Sequence, residues 1–289
     1  MGEVIRRAMW PITAPIGFIQ NNFKALVFLL ILFFIFYSSS EEKIKEPNLA
    51  KIYLTGPIGS ADKFLEDIKA AEEAKVKGIL LVIDSPGGSV APSVEMALTI
   101  KRVKKSIPVV AYSAGTLASG SYYASVWSNK IVSNPGSTIG SIGVIFEGVN
   151  VEGLMKKFGV ESQVVKAGEY KESGTMFRKW TPKERAHLEG LISDTYKMFT
   201  EDVATARGLD LNKTSVFADA KVFTAREAKS AGLIDELGTQ HDAEEELKKL
   251  AKVKDPVWLE KSKVDRLFDR LVSETASKLA ITITGLKAY

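Results

Sequence analysis

The stretch Gly78–Ser89 reads G-I-L-L-V-I-D-S-P-G-G-S. Its first six residues form an unbroken apolar run, the mark of a β-strand covered on both faces by helices. The run stops at Asp84, and S-P-G-G-S at Ser85–Ser89 has the composition of a tight turn. A helix is predicted after it, to about Lys105.

The same alternation extends in both directions. Upstream, Lys51–Thr55 reads as a short strand. Ser60 then caps a helix that carries Phe64, Leu65, Ile68 and Ala71 at helical spacing. Downstream, Pro108–Tyr112 reads as a second buried strand, leading through Ser113-Ala114-Gly115 to a helix predicted over Leu117–Ser125. Ile131–Ser133, Ile142–Phe146 and Ser162–Lys166 read as short strands, and Leu154–Phe158 as the start of a helix. Gly168–Trp180 has no periodicity and reads as a loop. Leu188, Leu191, Ile192, Thr195, Phe199 and Val203 mark a long amphipathic helix, and Thr224–Ala231 a short one ending at Gly232. Strands alternating with helices imply an α/β domain with a largely parallel sheet.

Composition narrows the function. A length of 289 residues suits one large domain or two small ones. The net charge of +4 is spread along the chain rather than gathered in a basic stripe, which argues against nucleic-acid binding. The chain has no cysteine, so disulfides and thiolate metal sites are excluded.

One segment is not globular in character. Ala25–Tyr37 is A-L-V-F-L-L-I-L-F-F-I-F-Y, thirteen apolar residues in a row. A full membrane span wants about twenty; Phe23, a snorkelling Lys24 and Ser38–Ser40 can extend it. An uncleaved anchor, a cleaved signal peptide with its small-residue run at Ser38–Ser40, and a buried helix all compete for it. Four phenylalanines and no polar face count against the last. Arg6, Arg7 and Lys24 precede the segment, and Glu41, Glu42 and Glu46 outnumber the two lysines just after it. The positive-inside rule then puts the N-terminus in the cytoplasm and the rest of the chain across the membrane. Met9–Ile19, with Trp10, Pro11 and Pro15, suits a membrane surface.

The chemistry centres on Ser119, in A-S-G-S-Y-Y (Ala118–Tyr123), and Lys171, in A-G-E-Y-K-E-S-G (Ala167–Gly174). The only two histidines, His187 and His241, lie far downstream. A serine can be activated by a neutral lysine amine where burial disfavours the ammonium. Each residue also has a plain reading. A serine between Ala and Gly often permits close packing, and most loop lysines are solvated. The location of Ser119, after a buried strand and at the start of a predicted helix, lets its hydroxyl and the Gly120 N–H face a cleft at a helix N-terminus. Gly87-Gly88 is either a tight turn or a cradle of backbone N–H groups for an oxyanion. Glu172, beside Lys171, would stabilise an ammonium if it faced one.

D-S-P-G-G-S (Asp84–Ser89), A-S-G-S-Y-Y, S-T-I-G-S-I-G-V (Ser137–Val144) and G-E-Y-K (Gly168–Lys171), in this order, resemble the signal peptide peptidase A family, membrane-anchored serine proteases also called protease IV. The resemblance covers roughly Lys51–Gly238. It implies the ClpP/crotonase-like spiral of ββα units behind an N-terminal transmembrane helix. It implies Ser119 as nucleophile, Lys171 as general base, and Ser141 as a second serine that holds the lysine amine. Gly87, Gly88 and Gly120 would form the oxyanion hole. No cofactor or metal is implied. The family usually has two glycines after the nucleophile; here Ser121 replaces the second.

The layout expected on this basis is a cytoplasmic segment at 1–23, a transmembrane anchor at 24–40, a linker at 41–50 and a Ser-Lys protease domain at 51–254. A C-terminal tail at 255–289 follows, with Val264, Leu267, Phe268, Leu271, Val272, Ala276 and Leu279 on one helical face. The resemblance implies peptide substrates, signal peptides above all, a single-pass protein of the cell (inner) membrane with its catalytic domain extracytoplasmic, and a ring-shaped homo-oligomer in which neighbouring chains help build the groove. A non-catalytic membrane scaffold of the same fold is the alternative.

Overall fold

The structure is a computed structural model that describes residues 22–33 and 46–259. The chain divides into two compact units between Glu46 and Pro47. In the first, residues 22–33 form helix α1, with Phe23, Phe28, Leu29 and Phe33 exposed. Among the described residues no helix is long and apolar enough to cross a membrane. The expected anchor continues through residues 34–40, which lie outside the described residues.

The second unit runs β1 (Leu49–Thr55), α2 (Asp62–Glu73), β2 (Ile79–Ser85), α3 (Val90–Val103), β3 (Val109–Ala118), α4 (Gly120–Ser125), β4 (Lys130–Ser133) and β5 (Thr138–Gly140). It continues with α5 (Glu152–Lys157), α6 (Pro182–Arg207), a 3₁₀ turn at Leu211–Lys213, α7 (Thr214–Phe217), β6 (Val222–Thr224), α8 (Ala225–Ser230), β7 (Glu236–Leu237), α9 (Gln240–Ala251) and β8 (Trp258–Leu259). The sheet has the order β6-β5-β3-β2-β1-β8, with β4 joining β3 to β7. Its pairs are parallel except β5 with β6.

The apolar run of β2 is covered on both faces, as expected. Ile79, Leu81 and Ile83 enter the main core with Phe64, Ile68 and Ala71 of α2 and Met96, Ile100 and Val103 of α3. Leu80 and Val82 point the other way, into a smaller cluster with Ala243 and Leu247 of α9. Each such fully buried aliphatic side chain contributes about 1.5–3 kcal/mol, so both layers are needed to hold this strand. Helix α6 starts on a capping box between Thr181 and Glu184 and ends at Gly208, whose φ is 65°. It buries Phe199 and Val203 in the main core, and the Phe199 ring lies 4.6 Å from that of Tyr123.

Strand β3 is the hub, and it is longer than its sequence suggests. Rather than ending near Tyr112, it runs on through Ser113-Ala114-Gly115 to Ala118. Two extra residues bulge out of it opposite Asp84: Ile83 pairs with Ser113, and Ser85 with Leu117. The Asp84 carboxylate accepts the Thr116 N–H at 2.8 Å, replacing the ladder bond that the bulge removes. Val110–Ser113 pair with β4, and Thr116–Ala118 then pair with β5.

Three other expectations need correction. The strand expected at Ile142–Phe146 forms at Thr138–Gly140 instead, where β3 and β6 flank it. Residues 142–146 have no regular secondary structure. Ser162–Lys166 does not form a strand either. Val164 and Val165 are exposed there, Val165 completely, because no neighbouring strand supplies ladder partners. The helix predicted over Leu117–Ser125 starts only at Gly120. Most of the amphipathic tail, residues 260–289, lies outside the described residues, while Trp258–Leu259 pair with Leu49–Ala50 of β1.

Candidate active site

Ser119 sits at the junction of β3 and α4 with φ 51° and ψ −124°. A non-glycine residue with such a backbone is strained, and strain of this kind collects at functional sites. Two bonds hold it there. Its N–H donates to the Gly140 carbonyl at 2.7 Å, and its carbonyl accepts the Tyr123 N–H at 3.0 Å. The side chain is half-buried at the surface of the core. Helix α4 has only six residues, so the electrostatics here rest on individual N–H groups more than on a helix dipole.

The glycine turn packs directly against this junction. A Cβ on Gly87 would lie 2.5 Å from the Gly120 nitrogen and 2.9 Å from the Ser119 Cβ. A Cβ on Gly120 would lie 2.3 Å from Ser93 Oγ. Gly87 therefore excludes any side chain, and Gly120 admits one only if Ser93 gives way. The Gly87 N–H is occupied, donating to Ser85 Oγ at 3.2 Å. Gly88 forms a parallel bridge with Ile58, in which the Gly87 carbonyl accepts from Ile58 N–H and the Ser89 N–H donates to Ile58 O. The Gly88 N–H consequently faces away from Ile58. No hydrogen bond among the described residues takes the N–H of Gly88 or of Gly120. Of the three glycines read as an oxyanion hole, Gly88 and Gly120 offer donors and Gly87 supplies the turn.

Ser141 stands beside Ser119, because Ala118 of β3 is in register with Gly140 of β5. Its φ is 49°, and its N–H donates to Lys221 O at 2.7 Å. Ser137, in the same loop, is buried and its hydroxyl donates to Ser113 O at 3.1 Å. That leaves Ser141 as the loop serine next to the nucleophile position.

Lys171 is not brought to this group. It lies exposed in the turn after Gly168, and no hydrogen bond among the described residues joins its ammonium to Ser119 or Ser141. Its neighbours are held firmly. Tyr170 stacks on His187 of α6 with ring centroids 4.9 Å apart, and Glu169 pairs with Lys183 at 2.7 Å. Glu172 faces away from Lys171, bonding Lys166 at 2.7 Å and Arg178 at 3.0 Å; both hold its carboxyl below the usual range, Lys166 first. Arg178 also forks onto Glu184, at 2.7 and 2.9 Å. The Glu184 side chain is buried, and Arg178 with the Thr181 backbone lowers its carboxyl to about 2.

Sequence reasoning missed this Glu172–Arg178–Glu184 clamp and the bulge at Asp84. The T-P-K-E at Thr181–Glu184 was a visible capping-box signal; the ion pairs across the loop left none.

A cleft of about 580 Å³ opens two residues past Ser141. It is lined by Val144, Phe146, Trp180, Leu188, Ile192 and Tyr196, with Arg185 and Glu189 at its polar side. The segment bordering it is unusually apolar for a surface: Ile145, Val149, Phe158 and Val165 are all more than half exposed.

Residues 101–254 match peptidase family S49. A Synechocystis chain named as a protease, slr0021, is 40% identical over 72% of this chain and 74% of its own length. An Enterococcus faecium chain named as a signal peptide peptidase, SppA, is 33% identical over 78% of this chain and 72% of its own. A Methanocaldococcus jannaschii chain named as a protease, MJ0651, is 41% identical, and this chain spans 62% of its length. Among solved structures, the 1510-N membrane-bound stomatin-specific protease, as its S97A mutant, superposes with a TM-score of 0.50 at 19% identity, over 75% of this chain and 99% of that one. The two share the same α/β fold.

Proposed function

Since the chain belongs to peptidase family S49 and is a serine protease, we propose that Ser119 is its nucleophile and Lys171 its general base. The observation that carries this is the strained backbone of Ser119 beside two unoccupied N–H groups, on Gly88 and Gly120. In the proposed reaction Ser119 Oγ attacks the scissile carbonyl, and the neutral amine of Lys171 takes its proton. The amides of Gly88 and Gly120 stabilise the tetrahedral oxyanion. Lys171 returns the proton to the leaving amine, and water then releases the acyl group. Ser141 orients the amine.

The exposed position of Lys171 favours the Ser119 of a neighbouring copy as its partner. The apolar surface from Ile145 to Val165 gives copies a reason to associate, and burial at such a seam would remove the water that keeps an ammonium charged. A ring-shaped homo-oligomer fits this arrangement. The apolar cleft past Ser141 suits hydrophobic peptides, so residual signal peptides and misfolded exported proteins are the proposed substrates. The charge bias around residues 24–40 and the exposed apolar side chains of α1 support anchoring in the cell membrane, with the protease domain extracytoplasmic.

The unjoined Lys171 also leaves room for a second reading, a non-catalytic membrane scaffold. Labelling with a fluorophosphonate separates the two. Wild type should label and Ser119→Ala should not; no labelling of wild type would favour the scaffold.

A further inference from the structure

The serine that stands where the resemblance expects a glycine is fully buried. Ser121 Oγ accepts the Ala118 N–H at 2.9 Å. It lies 2.7 Å from the Ser85 carbonyl and 2.9 Å from the Ala118 carbonyl. A hydroxyl has one proton, and the shorter contact is to Ser85. Strand β2 ends at Ser85, and the chain turns away at Pro86, which has no N–H. The β2–β3 ladder thus stops at the pair Ser85 and Leu117, two residues before Ser119, and the Ser121 hydroxyl ties together the chain just beyond it.

Ser85 continues the connection. Its own hydroxyl donates to Gly56 O at 2.6 Å and accepts the Gly87 N–H at 3.2 Å. One side of the network therefore ends at Ala118, next to Ser119 and Gly120. The other ends at Gly87, next to Gly88. The two proposed oxyanion donors sit on different segments of chain, and the last strand pairing between those segments is Ser85 with Leu117. Resting on the serine-nucleophile reading above, we propose that Ser121 is a positioning residue: its buried hydroxyl sets the spacing between the Gly88 and Gly120 amides. Without it, the Ala118 N–H and the Ser85 carbonyl lose a buried partner, and the glycine turn is free to shift against the nucleophile.

A misplacement of about 1 Å at a reacting centre can lower a rate on the order of 100-fold. The test uses the full-length protein and a fluorophosphonate, whose phosphoryl oxygen enters the oxyanion hole as Ser119 reacts. Labelling is followed against probe concentration, which separates the maximal rate from the half-saturation constant. Ser121→Ala should lower the maximal rate about 10- to 100-fold and leave the half-saturation constant unchanged. Ser121→Thr, which keeps the hydroxyl, should recover most of it. Should Ser121→Ala fail to fold by circular dichroism, the near-isosteric Ser121→Cys takes its place, because a thiol is a weak donor and acceptor. A folded Ala or Cys variant that labels at the wild-type rate, with only a lower melting temperature, overturns the proposal and leaves Ser119 as nucleophile. Wild type that labels at no rate, or at a residue other than Ser119, overturns the nucleophile reading and this proposal with it.

Discussion

Ser119 and Ser141 stand side by side, one residue beyond the registered pair Ala118 and Gly140, and both hold a left-handed backbone, with φ of 51° and 49°. The Ser119 N–H locks the pair by donating to Gly140 O at 2.7 Å. Two strained serines thus follow directly on the paired ends of the parallel strands β3 and β5.

Ser141→Ala should lower kcat by about 10- to 100-fold, the usual cost of losing an orienting partner. Ser137→Ala should leave kcat near wild type and lower stability by about 1 kcal/mol, since its hydroxyl serves the Ser113 carbonyl. Turnover of both variants on one fluorogenic peptide, with melting curves, checks this. The reverse pattern would move the orienting role to Ser137.

Ser119→Ala and Lys171→Ala should each reduce peptidase activity by about 1,000-fold or more. His187→Ala and His241→Ala should keep most of it. If the lysine acts between copies, mixing the two inactive variants and letting subunits exchange should restore labelling of Ser119, because one mixed junction contains both groups intact. Mixtures that stay inactive after demonstrated exchange would place the lysine within its own chain.

Gly120→Ala should be inactive or unfolded, as its Cβ would sit 2.3 Å from Ser93 Oγ. Adding Ser93→Ala removes that atom and leaves contacts of 3.1 and 3.3 Å, to the Ser93 Cβ and the Gly88 nitrogen. The double variant should melt higher than Gly120→Ala alone. An equal or lower melting temperature would mean that the clash with Ser93 is not the cause.

The clamp on the Lys171 loop should weaken in acid. The Glu184 carboxyl is lowered to about 2 in the folded protein, against about 4.3 for a free glutamate. Its contribution is therefore complete above about pH 4.3 and is lost as the pH falls toward about 2. Limited pepsin digestion should begin to cut residues 166–180 within that window while β1–β3 stay intact. Arg178→Ala should open the loop already at neutral pH, read by hydrogen exchange. A loop equally protected in Arg178→Ala would remove the clamp as its anchor.

How much of this was legible beforehand depended on how local the cause was. The unbroken run Gly78–Ile83 announced a strand buried on both faces, because burial on both sides leaves no position for a polar residue. Long amphipathic α6 was legible from the helical spacing of its apolar residues, one face buried and the other in water. The length of β3 was not. What carries it past Gly115 is the Asp84 carboxylate, thirty-two residues away in sequence. Likewise, Ile142–Phe146 has the composition of a strand, but strands need partners, and β3 and β6 pair with Thr138–Gly140 instead.

The same division holds at the site. The order of motifs pointed to Ser119, Lys171, Ser141 and the glycines, since each is marked by its immediate neighbours in the chain. The sequence alone determined the α/β alternation, the serine flanked by glycine, and the absence of a histidine near it. Only the tertiary structure decided that Gly88 and Gly120 have open N–H groups while Gly87 does not, that Ser121 bridges two segments, and that Glu172 turns to Arg178 rather than to Lys171. Each of these is a hydrogen bond or ion pair whose partner is chosen by the fold. Apolar periodicity is written along the chain, but the direction in which a polar group points is set by whatever the fold brings beside it.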